Sequence, residues 1–131
     1  MIPDHVKKVF EENLWYLATC GKELNVVPVG FKCICADGSL AVGAVLLETT
    51  LENIRISGRA AVSAANSLTG EAYQIKGRAA LVTEGEAFEH YQTLTEDTFR
   101  GAMHLKCAVL ITPEKLINCA PNAHNKEEIP L

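Results

Sequence analysis

The sequence predicts a mainly β fold, an antiparallel barrel that carries peripheral helices. Six apolar stretches of strand length, separated by turn residues, are the first observation behind this prediction. The second is the pair Asp37-Gly38, a hairpin signal between two of these stretches. Strands joined by hairpin turns, with helices inserted between them, favour an antiparallel barrel over a parallel α/β sheet.

Three helices are predicted between or before the strands. The first begins near Pro3, which suits a first helical turn, and Val6, Val9 and Phe10 share one of its faces. In the third helix, Phe88, Tyr91 and either Leu94 or Thr95 are predicted to face inward. The predicted helical ranges, in chain order, are 3–13, 50–57 and 86–98.

Six strands follow from the apolar stretches, and Gly77 marks a bend or bulge in the fifth. The sixth is expected to stop at Pro113, with one more apolar piece over residues 116–120. The predicted strand ranges are 15–20, 25–36, 39–47, 59–65, 71–85 and 105–113.

Length and composition limit the classes of protein to consider. With 131 residues, 48% of them hydrophobic and 21% charged, the chain is expected to fold as one domain spanning 1–131. A formal net charge of -4 argues against nucleic acid and anionic membranes as partners. No apolar run is long enough for a membrane span and the N-terminus has no apolar signal core, so a cytoplasmic location is expected.

Motifs for metal sites and common enzymes are missing from the sequence. The five cysteines contain no CxxC pair, which fits a reducing compartment. Cys33 and Cys35 share one strand face, but no nearby histidine or cysteine completes a set of four ligands, so no metal site is predicted. Walker, GxGxxG and GxSxG motifs are also absent, and no catalytic residue is assigned.

The segment GAVLLETTLENI, residues 43–54, joins a strand to a helix and has two interpretations. Thr49 and Glu52 have the spacing of a capping box, in which Thr49 caps the helix and Glu52 reaches back. The same helix start, with the hydroxyls of Thr49 and Thr50, can also bind a phosphate. Glu48 counts against a phosphate because its carboxylate would repel one. The residues alone favour the cap.

Taken together, the opening helix and four further stretches resemble the pyridoxamine 5'-phosphate oxidase-like family of flavin-binding split barrels, most closely its short single-domain members. The four stretches are YLATCGKELNVVPVGFKC, TLENIRISGRAAVSA, EAYQIKGRAALVTEGEAFEHY and VLITPEKLINCAPNA. The resemblance implies a six-stranded antiparallel Greek-key split barrel. It also implies a homodimer that binds FMN in two grooves at its interface.

The resemblance carries three groups of residues over to FMN. In such proteins the second strand runs beside the isoalloxazine ring, the turn after the third strand holds the ribityl phosphate, and the fifth strand borders the flavin. Gln74 and Lys76 lie two apart and share a strand face, although spacing alone is equally compatible with simple exposure to solvent. The eight implied cofactor-binding residues are Val27, Pro28, Val29, Thr49, Thr50, Asn53, Gln74 and Lys76.

The turn departs from the family pattern. Relatives often show Asp-Asn late in the third strand and Gly-Lys-Thr at the turn, where this chain has Ala44, Val45 and residues 48–50, Glu-Thr-Thr. A charge-assisted phosphate contact contributes about 1.5–3 kcal/mol, so loss of the lysine weakens binding by roughly one or two orders of magnitude. Three arginines are candidates to replace its charge: Arg55, Arg59 and Arg78.

The leading hypothesis is a cytoplasmic, homodimeric FMN flavoprotein that transfers electrons or hydride to a small-molecule or protein redox partner. The flavin would carry the chemistry, so the chain is a candidate FMN-dependent oxidoreductase of unknown substrate. The alternative is a split-barrel dimer that has lost FMN and binds another ligand, such as haem or a deazaflavin. For haem, His90, His104 and His124 are the candidate axial ligands.

Overall fold

The computed structural model describes all 131 residues and confirms the mainly β prediction. Its three helices are α1 (Asp4–Glu12), α2 (Thr49–Ser57) and α3 (Glu86–Phe99), each within one or two residues of its predicted bounds. None of them has the length and apolar composition that crossing a membrane requires. The eight strands are β1 (Trp15–Thr19), β2 (Asn25–Val29), β3 (Lys32–Ile34), β4 (Leu40–Ala44), β5 (Arg59–Ala65), β6 (Ala72–Val82), β7 (Cys107–Asn118) and β8 (Glu128–Ile129).

The strands form one antiparallel sheet in the order β2-β1-β5-β6-β7-β4-β3, with β8 paired to β7 beside this path. The two end strands, β2 and β3, are consecutive in the chain and separated only by Gly30 and Phe31. The chain therefore connects the two ends of the sheet directly, and the sheet curls into a split barrel.

The predicted count of six strands needs correction. The stretch 25–36, predicted as one strand, is divided into β2, which pairs with β1, and β3, which pairs with β4. The stretch divides because one straight strand cannot pair with both β1 and β4, which lie at opposite ends of the curled sheet. The eighth strand, Glu128–Ile129, lies in a polar tail for which no strand was predicted.

The predicted irregularity at Gly77 is confirmed, and it explains how β7 continues past Pro113. The β6–β7 register shifts between Lys76 and Gly77, and Gly77 pairs with Pro113. A side chain at Gly77 would collide with the Thr112 carbonyl, so the bulge needs glycine there. The predicted strand end at Pro113 is wrong because a bulge tolerates a residue that cannot donate an N–H.

The main hydrophobic core fills the barrel, and α1 and α2 pack against it. From α1, Phe10 stacks edge-on against Trp15 at 5.6 Å, and the Trp15 indole donates to the Phe10 carbonyl at 2.6 Å. From α2, Leu51 and Ile54 are buried in the same core. The inward face predicted for α1 is confirmed, since Val6, Val9 and Phe10 are all buried.

A second, smaller core lies outside the barrel, where α3 covers β4 and β7. Tyr91 is buried there with Ala41 and Ala108, and its hydroxyl donates to the Ala41 carbonyl at 3.3 Å. Gly43 makes room for the ring, because a Cβ at this position would lie 2.8 Å from Tyr91 Cγ. Tyr91 and Thr95 thus confirm the predicted inner face of α3. No helix covers the β2-β1-β5-β6 part of the sheet in this way.

Candidate functional site

The uncovered part of the sheet presents two rows of side chains across β2, β1, β5 and β6, which we call the outer sheet face. Strand alternation directs these residues away from the barrel interior. Tyr16 and Val26 are 50% and 62% exposed, which is unusual for large apolar side chains side by side. The rows are Pro28, Tyr16, Ser63 and Gln74, followed by Val26, Ala18, Ala61 and Lys76.

A groove of about 340 Å³, here called the outer groove, crosses one end of this face. Its floor includes Ala18 and Ala61, whose small side chains permit the close approach of a flat ring. Leu24, 87% exposed, lines it from the β1–β2 loop, and Arg59 and Lys76 line it from β5 and β6. The groove therefore combines apolar residues with two cations.

The cationic side of the groove extends onto β6 and β7. Register places Arg59 opposite Arg78 and Lys76 opposite Lys115, so four cations share this surface. One carboxylate accompanies them: Glu114 lies 3.4 Å from Arg59 and 3.7 Å from Arg78. Because these ion pairs are exposed, they are weak, and the four cations outnumber the single carboxylate that pairs with them.

Three of the eight predicted cofactor residues, Pro28, Gln74 and Lys76, lie together on the outer sheet face. Their neighbours Val27 and Val29 point the other way, and Val29 is buried in the barrel core. A role for these two valines in cofactor binding stays a prediction. Since their side chains point inward, only their backbone atoms could contact a cofactor on the outer sheet face.

At the start of α2 the predicted capping box is wrong. The N-cap residue is Glu48, no side chain caps the helix, and Thr49 is already its first residue. Glu52 does not reach back, because its carboxylate pairs with Lys22 at 3.3 Å. Lys22, in the loop after β1, thus binds the Glu52 carboxylate that the capping box would have required. Thr49 is half-buried at the helix start, and its phosphate role stays a prediction.

Asn53 is fully buried and makes four hydrogen bonds to the β1–β2 region. Its Oδ1 accepts from the backbone N–H groups of Lys22, at 2.8 Å, and Glu23, at 3.3 Å. Its Nδ2 donates to Thr19 Oγ1 at 3.1 Å and to the Glu23 carbonyl at 2.6 Å. Asn53 thus holds the loop that forms one wall of the outer groove, and its assignment to phosphate stays a prediction.

Thr50 makes a related contact, since its buried hydroxyl accepts a hydrogen bond from the Asn25 side chain at 3.0 Å. Of the three polar side chains of α2 that were predicted to bind phosphate, Thr50 and Asn53 are therefore hydrogen-bonded to β1, to β2 or to the loop between them. Sequence alone did not reveal this structural role, because the bonds of Asn53 join residues about 30 positions apart in the chain.

A lysine does stand at the β4–α2 turn, but it comes from a distant part of the chain. Lys106 Nζ donates to the Leu47 carbonyl at 2.8 Å, across 59 residues of sequence. Of the arginines proposed as substitutes, Arg59 and Arg78 bind Glu114 beside the outer groove, and Arg55 is exposed in the last turn of α2. The position of Lys106 beside this turn follows from the β4–β7 pairing, which no local sequence pattern shows.

The fold of this chain is similar to that of several proteins of known structure. No family model matches the chain, and no curated protein matches it in sequence. Group A Streptococcus HupZ superposes with a TM-score of 0.77 at 21% identity, over 95% of this chain and 98% of that one. An FMN-binding protein from Syntrophomonas wolfei gives 0.74 at 14% identity, over 88% and 84%.

A pyridoxamine 5'-phosphate oxidase candidate from Lactobacillus delbrueckii gives a TM-score of 0.71 at 19% identity, over 88% of this chain and 93% of that one. These identities establish likeness of fold alone. The chain has the split-barrel fold of the pyridoxamine 5'-phosphate oxidase-like proteins, as its sequence resemblance predicted.

Proposed function

We propose that this protein is an FMN-binding flavoprotein that acts as a homodimeric oxidoreductase or electron carrier in the cytoplasm, with a small-molecule or protein redox partner. The observation that carries the proposal is the outer sheet face, where an apolar groove with an alanine floor adjoins four cations. FMN combines a flat aromatic ring with an anionic phosphate, so both halves of this surface match it.

The residues of the chain would bind and orient FMN, while the flavin itself supplies the redox chemistry. Ala18 and Ala61 let the ring approach the sheet, and the half-buried Gln74 amide offers both a donor and an acceptor. The Lys76 ammonium would stabilise negative charge on the pyrimidine edge of the reduced ring. The adjacent arginines, Arg59 and Arg78, would attract the phosphate.

A second copy of the chain is proposed to cover the rest of the outer sheet face. Tyr16, Val26 and Leu24 are at least half exposed and lie on or beside the groove. A contiguous apolar surface of this kind is typical of an interface, and a twofold dimer would bury the same residues on both copies.

The proposal is tested by titrating the purified protein into FMN and following the flavin fluorescence. Ala61→Trp fills the floor of the groove and is expected to abolish quenching. Ala80→Trp, at an exposed β6 position outside the groove, is the matched control and should bind like the parent. Absence of quenching with the parent chain, or equal binding by both variants, would refute the FMN proposal.

A split barrel that binds a different ligand is the second candidate. It is supported by the engagement of Thr50 and Asn53 with the protein itself and by Glu48 at the turn. An F420 reductase shares the fold, with a TM-score of 0.65 at 15% identity, so a deazaflavin is the first alternative ligand. Haem is less well supported, because none of His90, His104 and His124 lines the outer groove. Parallel titrations with F420 and haemin distinguish these ligands.

A further inference from the structure

A second cavity, of about 610 Å³, lies between the β3–β4 hairpin and the first turn of α3. It shares no lining residue with the outer groove. Its lining includes two thiols, those of Cys33 and Cys35, and its polar residues on α3 are Glu86 and His90. The proposed FMN site uses none of these groups, so the cavity needs an explanation of its own.

The backbone keeps the two thiols on the same side. Cys33 lies in β3 and Cys35 follows directly after its last residue, Ile34, and both side chains line the cavity. In extended backbone, two residues at this spacing have Cα atoms about 6.6 Å apart. Cys33 pairs with Ala41 in the β3–β4 ladder, and the Cys35 N–H donates to the Ser39 carbonyl at 2.8 Å. Both are half-buried free thiols packed against the second core.

The surroundings are apolar below the thiols and polar at the mouth. Ala87 and Leu110 are apolar residues of the lining, while the polar residues Asp37, Glu86 and His90 are exposed. Burial raises the pKa of the Cys35 thiol, and the neighbouring Cys33 raises it further, against an opposing hydrogen bond from Ser39.

We propose that Cys33 and Cys35 together bind a soft monovalent metal ion, Cu(I), through both sulfur atoms. Thiolates select soft ions, and Cu(I) accepts two ligands, whereas a structural zinc ion requires four. No group of three or more histidine, cysteine or acidic side chains is arranged to hold a metal ion. Two sulfur ligands therefore fit Cu(I) better than they fit zinc.

Binding breaks two S–H bonds and forms two S–Cu bonds, and it releases two protons to solvent with no change in oxidation state. The bound unit carries one negative charge. Asp37 and Glu86 repel it, but both are exposed, so water and salt screen this repulsion. This proposal revises the expectation of no metal site, which considered only complete sets of four ligands.

The test is a titration of the reduced, full-length protein with Cu(I) alone under anaerobic conditions, against the chromogenic Cu(I) chelator bathocuproine disulfonate. The parent is expected to take one equivalent from the chelator. Cys33→Ser and Cys35→Ser should each weaken binding at least a hundredfold, about two decades of the competition curve. The control is the double variant Cys20→Ser/Cys119→Ser, which removes the two exposed cysteines and should bind like the parent.

X-ray absorption spectroscopy at the copper edge, on the copper-loaded parent protein, is a second measurement that needs no variant. We expect it to show two sulfur atoms bound to the copper ion. No uptake by the parent, unchanged uptake by either single variant, or loss of uptake in the control would overturn the proposal. FMN titration of Cys33→Ser should match the parent, so failure of the copper site and failure of the flavin site are separable.

Discussion

The two outer faces of the barrel differ in what covers them. On the β4–β7 face, Tyr91 of α3 lies against Gly43, and the small core beneath the helix is buried. On the outer sheet face, Tyr16 and Val26 remain exposed, although the strands alternate there in the same way. Both faces carry an aromatic ring and small residues, but only one has its cover within the chain. The difference motivates the proposal that a ligand or a second copy of the chain covers the outer sheet face.

The largest effect is expected from damage to the covered face. Gly43→Val would place a Cβ 2.8 Å from Tyr91 Cγ and push α3 away from the sheet. Overpacking of this kind costs about 3 kcal/mol, the upper part of its usual range. Urea unfolding should show a lower midpoint with little change in slope. Gly30→Val is the control, because nothing lies within 4 Å of its Cβ position; equal destabilisation by the two variants would contradict this account of the α3 packing.

The next effect concerns the wall of the outer groove. Asn53→Ala removes four hydrogen bonds and leaves backbone groups of the β1–β2 loop without partners, at a cost of about 2 kcal/mol. The same variant should lower affinity for FMN, because Leu24 loses its fixed position. Both changes are measurable, by urea unfolding and by flavin fluorescence.

Thr49→Ala is the matched comparison for Asn53→Ala. A true cap residue would cost about 1 kcal/mol on truncation, but Thr49 makes no capping bond, so stability should change by less than about 0.5 kcal/mol. If Thr49→Ala lowered the free energy of unfolding by about 1 kcal/mol, Thr49 would be acting as a cap residue, contrary to the helix start described above.

A smaller effect is expected from the charges beside the groove. Lys76→Ala should weaken FMN binding about tenfold at low salt, since it removes one charge-assisted contact in an exposed setting. Glu114→Ala should tighten binding a few fold, because it releases Arg59 and Arg78 from their carboxylate. Lys8→Ala, an exposed lysine on α1, is the control for net charge. If the affinities of all three variants for FMN changed only in proportion to their net charge, the proposed contacts of Lys76, Arg59 and Arg78 with FMN would be nonspecific.

The contrast between the two faces also shows how far sequence alone could go. The spacing of Tyr91 and Thr95 predicted the inner side of α3, and strand alternation placed Gln74 and Lys76 on one face, because both patterns are local. The division of residues 25–36 into two strands, the position of Lys106 beside Leu47 and the bonds of Asn53 all depend on pairing across the sheet. No local pattern records such pairings, so these features required the structure. The resemblance identified the turn but assigned its polar side chains to a phosphate, whereas Thr50 and Asn53 contact the protein.

The smallest effect on folding, and the sharpest test of the uncovered face, comes from its apolar side chains. Tyr16→Ser with Val26→Ser replaces two side chains that are already at least half exposed, so the stability of an isolated chain should change by less than about 1 kcal/mol. Self-association should nevertheless fall, because a dimer would bury each of these residues twice across its twofold axis. Sedimentation velocity over a range of concentrations measures the shift from dimer to monomer.

Leu68→Ser is the control, since Leu68 is 95% exposed in the β5–β6 turn away from this face. A parent that sediments as a monomer at every concentration would mean that the outer sheet face is covered by ligand alone; a dimer that survives the double variant would place the interface elsewhere.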